Sequence, residues 1–365
     1  MDLKKLFGNA CALLVLQTAF SAAAEPDQPS FVDKLVEPTS FFNGSSVGEY
    51  LSTSADNGSF FYGGTEFSFL RINAHSGGQI AFSQSDTTAP GVATVAFRDG
   101  NGMTDTGYAP RLWIGRRFGE EKWGIQSRYW HLSQSGAHFP DASAPPTGTN
   151  FSTVTEADRL EAYTIDLEGV RSYQPGDWKI DTFLGARHAS FDIDSQIHTF
   201  GVFTTGNFTN LFLANGSSFD GTGLTYGLAA RRPISGSNFN LFASARGGSL
   251  WGQTDSYGRA AGAVASSPSA PLLGAATVTR NNAKADLQIA EIQVGLEWNH
   301  ALECVPANFF CRTSYEYQYW NINGLPTGGA GFGGTIGELT TNSFSSAGLG
   351  DMRLNGFSFA TGLTW

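Results

Sequence analysis

The stretch that most constrains this chain is its last, RLNGFSFATGLTW at 353–365. In an extended strand successive side chains alternate, so Phe357, Phe359, Leu363 and Trp365 share one face. Ser358, Ala360, Gly362 and Thr364 share the other. A strand greasy on one side and small or polar on the other also has two hydrogen-bonding edges to satisfy. Closing a sheet into a cylinder satisfies both, because the last strand then pairs with the first and no edge remains. The rest of the sequence is read as the strands this one closes against.

Ten strands are expected, at 60–72, 108–118, 123–133, 159–173, 178–194, 224–234, 239–254, 285–301, 312–323 and 353–365. Within them the alternation is plain. Phe67 and Phe69 oppose Glu66 and Ser68. Ile292, Val294, Leu296 and Trp298 oppose Glu291, Gln293, Gly295 and Glu297. Tyr315, Tyr317 and Tyr319 oppose Ser314, Glu316 and Gln318. The connections alternate as well. Polar stretches at 73–106, 138–158, 200–220, 258–282 and 324–350 take turns with tight ones such as Gln174-Pro175-Gly176-Asp177 and Ser235-Gly236-Ser237-Asn238. Within the first long stretch, QIAFSQ suggests a small hairpin. An even-stranded barrel with both ends on one side requires this long/short rhythm. The expected class is all-β, a closed antiparallel transmembrane β-barrel of about ten strands, with short periplasmic turns and long extracellular loops. A secreted β-sandwich or propeller is the competing architecture.

Composition agrees. The chain has 45 Gly and 29 Phe and only 15% charged residues, which suits an apolar exterior around a small, polar interior. Lys4 and Lys5 precede an apolar core at 10–20, and Ala22-Ala23-Ala24 provides a small-residue cleavage site, so 1–24 is expected to be a signal peptide. A polar, Pro-containing periplasmic linker is expected at 25–58, and the barrel at 59–365. The formal charge of −10 becomes −11 once Asp2, Lys4 and Lys5 leave with the signal. An acidic exported protein is a poor nucleic-acid binder.

Alternation places seven acids, Glu66, Asp166, Glu168, Asp181, Glu291, Glu297 and Glu316, toward the lumen. It places seven bases there too: Arg111, Arg117, Arg128, Lys179, Arg187, Arg231 and Arg246. Isolated charges in such a narrow interior are costly, so they are expected to pair or to meet water. Hairpin proximity suggests Glu297 with Arg312, and Asp166 or Glu168 with Lys179. Trp123, Tyr173, Trp178, Phe239, Trp298 and Trp365 flank short turns or the terminus and are expected to form a membrane girdle.

Chemistry is sparse. There is no Gly-x-Ser-x-Gly elbow or zinc-ligand cluster, and GGAGFGG at 328–334 follows no strand–helix pattern. No cofactor and no enzyme activity are expected. The nearest thing to a catalytic pair is His198 with Asp192 and Asp194, an acidic/His arrangement resembling omptin proteases. It would need a water held between carboxylate and imidazole. Cys304 and Cys311, flanking VPANFF, are expected to form one local disulfide in an exported protein.

The signal peptide, Tyr108-Ala-Pro-Arg-Leu-Trp-Ile-Gly and the closing GLTW together resemble a Gram-negative-type outer-membrane β-barrel. More narrowly, the chain is similar to the pore-forming family that includes the Legionella major outer membrane protein and its planctomycete relatives. That resemblance implies a bacterial outer-membrane location and a porin-like narrow pore for small solutes or ions. Its implied partners are outer-membrane lipid, the barrel-assembly machinery through the C-terminal strand, and further copies of the chain. The alternative is a plugged barrel, structural or surface-binding through its long loops.

Overall fold

The computed structural model describes residues 59–76, 79–86, 92–97, 106–118, 123–138, 149–203, 208–265, 273–302, 305–323, 328–336, 339–347 and 349–365. The expected signal peptide, its cleavage site and the linker lie outside the described residues. All regular structure described is β. The strands are β1 (Phe60–Ser76), β2 (Gln79–Asp86), β3 (Val92–Phe97), β4 (Thr106–Phe118), β5 (Trp123–His138), β6 (Thr149–Tyr173) and β7 (Lys179–Phe203). They continue with β8 (Phe208–Pro233), β9 (Phe239–Ala265), β10 (Leu273–Leu302), β11 (Ala307–Asn323), β12 (Gly328–Ile336), β13 (Leu339–Ala347) and β14 (Leu349–Thr364).

Ten of these strands close into one antiparallel barrel, in the order β1-β14-β11-β10-β9-β8-β7-β6-β5-β4 and back to β1. Closure joins the first barrel strand to the last. β14 pairs with β1 from Tyr62 opposite Thr364 upward. Phe61 and Trp365 then exchange both backbone hydrogen bonds, at 2.7 and 2.8 Å. Phe357 and Phe359 face outward, while Ser358 and Ala360 are buried in the interior. Two tight turns are set by glycine: Gly176 and Gly236 have φ of +60° and +74°, a backbone region that side chains with a Cβ seldom enter.

The long connections differ from expectation. The described parts of the 200–220 and 258–282 segments are strand, and they lengthen β7 to β10, as 149–158 lengthens β6; β10 alone has 30 residues. A bilayer needs only about 9–11 residues of tilted strand. The small, polar composition of GRAAGAV and NGSS carries a weak strand signal. Continuous pairing with neighbouring strands satisfies its backbone nonetheless: Asn215 faces Ser195 and Gly258, and Ala260 faces Leu213 and Thr277. Described parts of the 73–106 and 324–350 stretches form a second, four-stranded sheet in the order β12-β13-β2-β3. The QIAFSQ hairpin is β2–β3, and the expected loop at 324–350 supplies β12 and β13. Both β12 and β13 pack against β9.

Candidate functional site

The lumen is the part of the barrel where sequence-predicted residues converge. In its lower half, toward the short turns, inward positions are charged and the outer ones apolar. Here seven arginines meet seven carboxylates: Arg111, Arg117, Arg128, Arg187, Arg231, Arg246 and Arg312 against Glu66, Asp166, Glu168, Asp181, Glu291, Glu297 and Glu316.

The pairs link into a continuous chain of alternating sign. It starts near the turns, where Arg117 and Arg231 reach the two oxygens of Asp181 at 2.9 and 3.0 Å. Arg231 also donates to Glu297 at 3.0 Å, and Arg312 stands 3.9 Å beyond. Arg312 then donates to Glu66 at 2.7 Å. Arg111 bridges Glu66 and Glu316. At the centre, Glu291 receives Arg128 at 2.6 Å and Arg187 at 2.9 Å, with Arg111 at 3.6 Å. Asp166 closes the cluster through Arg128 and Arg187. Glu168 joins from the side through Arg246 at 2.5 Å and through Gln126, which in turn accepts from Tyr62. Ser68 and Gln318 donate further hydrogen bonds to Glu316, Gln293 to Glu66 and Thr225 to Glu168.

Equal numbers of opposite charges, each with hydrogen-bonded partners, are what allows this many ions to leave bulk water. Aromatic rings fill the space between them. Arg246 lies 4.0 Å from the Phe183 ring and Arg312 4.1 Å from that of Phe242.

Of the expected lumen charges, Lys179 is the exception. Its side chain is at the lower mouth and exposed, and it does not meet Asp166 or Glu168. The reason is register: in the β6–β7 hairpin Asp166 sits opposite Arg187 and Glu168 opposite Gly185, while Lys179 sits at the turn, opposite Arg231 of β8. The expected Glu297–Arg312 contact exists but is the longest in the chain, because Arg231 takes the nearer place.

Above the ions the sense of alternation inverts. On β10, inward Glu291 and Gln293 give way upward to Ile289, Leu287 and Ala285, while outward Ile292 and Val294 give way to Gln288, Asp286 and Lys284. The same reversal puts Leu70 and Ile72, Trp130 and Leu132, Trp320 and Ile322, and Met352 and Leu354 inside, all buried. Trp130 and Trp320 meet across the lumen with ring centroids 5.5 Å apart, and Phe191 stacks on Phe219 at 5.9 Å. This is a packed apolar core of the kind a water-soluble barrel has. Sequence reasoning missed it, although the signal was present: a strand whose apolar residues change parity part-way along is leaving one solvent for another.

The lumen therefore holds two stacked layers, ionic below and apolar above, and their central residues have no contact with solvent: Glu66, Asp166, Glu168, Arg187 and Glu316 are 0% exposed, as are Leu70, Leu132, Leu160, Leu250 and Leu287.

On the outside, Trp123, Tyr173, Trp178 and Phe239 are exposed at the short-turn end, and Trp298 and Trp365 are half-buried there. The outer face of the upper half is polar. His198, Asp192 and Asp194 lie there on β7, outside the barrel and not in a cleft. His198 bonds Asn210 at 2.7 Å and Asp194 accepts from the Tyr257 hydroxyl at 2.6 Å. Four residues along one strand separate His198 from Asp194, about 13 Å, so the arrangement expected for a carboxylate–imidazole pair is not formed. Burial and the neighbouring Asp194 raise the pKa of Asp192. Cys311 is also outward, exposed and a free thiol, opposite Trp298 in the β10–β11 ladder. The expected bridge is absent at Cys311, whose side chain belongs to the outer wall beside Trp298. Cys304 lies outside the described residues. Among the described residues no group of His, Cys, Asp and Glu is arranged to hold a metal.

No family model matches the chain, and neither does any curated protein. Among solved structures it is similar to the outer membrane protease OmpT of Escherichia coli, at 10% identity and a TM-score of 0.39, over 84% of this chain and 96% of that one. It is also similar to a FadL homologue of Pseudomonas aeruginosa, at 7% identity and a TM-score of 0.28, over 85% and 90%. The outer membrane protein OprG of Pseudomonas aeruginosa is 10% identical with a TM-score of 0.21, over 83% and 95%. The barrel itself rests on its own strand ladder.

Proposed function

We propose that this protein is a bacterial outer-membrane β-barrel with a closed lumen, which acts through the tall part of the barrel and the second sheet that rise beyond the membrane. The apolar outer band supports the membrane reading. On β8 it runs through Leu228, Tyr226 and Leu224, and on β10 through Leu296, Val294 and Ile292, all exposed. An apolar outer band suits a hydrocarbon layer, in which only closed sheets leave no backbone group unsatisfied. The short turns would then be periplasmic and the extended strands extracellular.

The observation that carries the closed-lumen reading is the stack of two filled layers. A narrow pore needs a continuous wet path, and here a layer of mutually neutralising ions lies directly beneath a dry layer anchored by Trp130 and Trp320. We therefore favour a structural or surface-binding role over a porin-like one. The protruding strands give that role a platform, since β6 to β10 continue to pair above the band, with one register shift between Thr149 and Phe151 of β6.

Single-channel recording in planar bilayers tests this. Correctly folded protein, shown to insert by vesicle flotation, should give no discrete conductance steps at neutral pH. Regular steps from such protein would refute the closed lumen and restore the pore.

A further inference from the structure

We propose that the short-turn rim carries a collar of three phospholipid-headgroup sites, each built from an arginine held over an aromatic ring and without a carboxylate partner among the described residues. Arg116 on β4 sits opposite Phe61 of β1 in the ladder, its guanidinium carbon 5.0 Å from that ring and 5.7 Å from Phe118. Arg171 on β6 sits opposite Trp123 of β5, 4.9 Å from its ring and 5.2 Å from Tyr173. Arg232 on β8 lies 5.5 Å from the ring of Trp178, just before β7. The motif thus recurs on three strands as each runs down into its short turn, always on the outer face. On β10 the corresponding outward place is taken by His300, stacked on Trp298 at 5.4 Å.

Two observations turn this repeat into a site. The first is what the arginines lack. No described carboxylate pairs with Arg116, Arg171 or Arg232. At the opposite end, three outward arginines are satisfied locally: Arg159 by Glu161 at 2.7 Å, Arg280 by Asp255 at 2.9 Å and Arg353 by Asp351 at 3.0 Å; Arg71, also outward there, has no described carboxylate partner and no aromatic ring beneath it. The second is depth. The partner rings belong to the aromatic belt, which sits at headgroup level in a bilayer. A guanidinium at that depth needs an anion. Stacking fixes its plane and leaves its N–H edges free, the geometry that matches a phosphate by two parallel hydrogen bonds.

The chain's formal charge of −10 gives it no general attraction to an anionic surface, so the binding depends on these positions. The occupant is the phosphodiester of a glycerophospholipid in the leaflet on the short-turn side. The inference rests on the membrane reading above.

The test is native mass spectrometry of the refolded full barrel titrated with dimyristoylphosphatidylglycerol in detergent, with phosphatidylcholine and inorganic phosphate as comparisons. The variant is Arg116→Gln/Arg171→Gln/Arg232→Gln. The control, Arg159→Gln/Arg280→Gln/Arg353→Gln, removes the same charge at the other end. Heat-dependent gel mobility reports folding. We expect retained phosphatidylglycerol adducts on the parent and the control, and a roughly tenfold weaker apparent affinity in the first variant. If that variant does not fold, the three single substitutions should each remove one adduct. Parent-like lipid retention in the folded variants overturns the proposal, and so does full displacement by equimolar inorganic phosphate. Flotation of the parent with vesicles separates the two readings: a parent that stays out of vesicles ends both, whereas an inserted parent with unchanged variants ends the collar alone.

Discussion

Arg187 and Asp166 face each other across β7 and β6 and form a two-point ion pair, Nε to Oδ1 at 2.6 Å and Nη2 to Oδ2 at 2.7 Å, with both side chains fully buried. Strand register alone brings them together. Replacing Asp166 by Ala removes an acceptor of both Arg187 and Arg128 and leaves guanidinium groups buried without their full complement. The expected loss of unfolding free energy is about 3–5 kcal/mol, read by urea titration of the refolded barrel. A loss below 1 kcal/mol would mean that water reaches this layer. The double variant Asp166→Leu/Arg187→Met should recover part of the loss, because an apolar pair needs no counter-charge.

Trp320 and Trp130 anchor the layer above. Trp320→Ala should cost about 3–5 kcal/mol through lost burial and the cavity left behind. It should still give no conductance, because the ionic layer beneath remains in place. Only a variant that breaches both layers, such as Trp320→Ala combined with Glu291→Ala, should produce steps in a planar bilayer. Steps from Trp320→Ala alone would place the whole barrier in the apolar layer.

These two layers were unequally legible in the sequence. The ionic one followed from alternation, because Glu297, Glu291 and Glu316 stand opposite aliphatic and aromatic neighbours with a period of two. What alternation cannot supply is the partner of each charge. That depends on register between strands: hairpin proximity alone points Lys179 toward Asp166 or Glu168, whereas Arg187 holds the place opposite Asp166. The apolar layer was obscured for a different reason. Leu287 and Ile289 look like a continuation of the membrane pattern until their parity is followed, and it shows them inside while Asp286 and Gln288 turn out. Gly- and Ala-rich strands such as 258–265 carried almost no local signal, since their order comes from pairing with β8 and β10.

Cys311 provides a chemical probe of the outer wall. It is exposed, faces away from the lumen, and lies beside Trp298 and Thr361 in the ladders. In a chain carrying Cys304→Ser, Cys311 should react with an uncharged, lipid-soluble maleimide both in detergent and in vesicles. A membrane-impermeant charged maleimide should label it at least tenfold more slowly in vesicles than in detergent, as intact mass would show. Equal labelling by the charged reagent in both would place this face in water. In the unsubstituted chain, two alkylated thiols without prior reduction would extend the free-thiol finding to Cys304.

Above the apolar band, Tyr257 donates its hydroxyl proton to Asp194 across β8, passing over Gly216. Burial, followed by that hydrogen bond and the charge of Asp194, raises the tyrosine pKa above its ordinary 10.0. The folded chain thus holds the phenol proton more tightly than the unfolded chain does. The stabilisation is complete below the unfolded value, about pH 10, and drains away as pH climbs through the raised folded value. Tyr257 is partly exposed, so solvent weakens the effect, and the hydrogen bond is worth about 1 kcal/mol. Amide hydrogen exchange over β7 to β9 should show protection independent of this group from pH 7 to about pH 10, then loosening above it. Tyr257→Phe should lower protection by that amount at neutral pH and abolish the alkaline step, because phenylalanine has no proton to lose. An alkaline step that persists in Tyr257→Phe would assign the transition to another group and remove the Tyr257–Asp194 pair as the clamp on this part of the barrel.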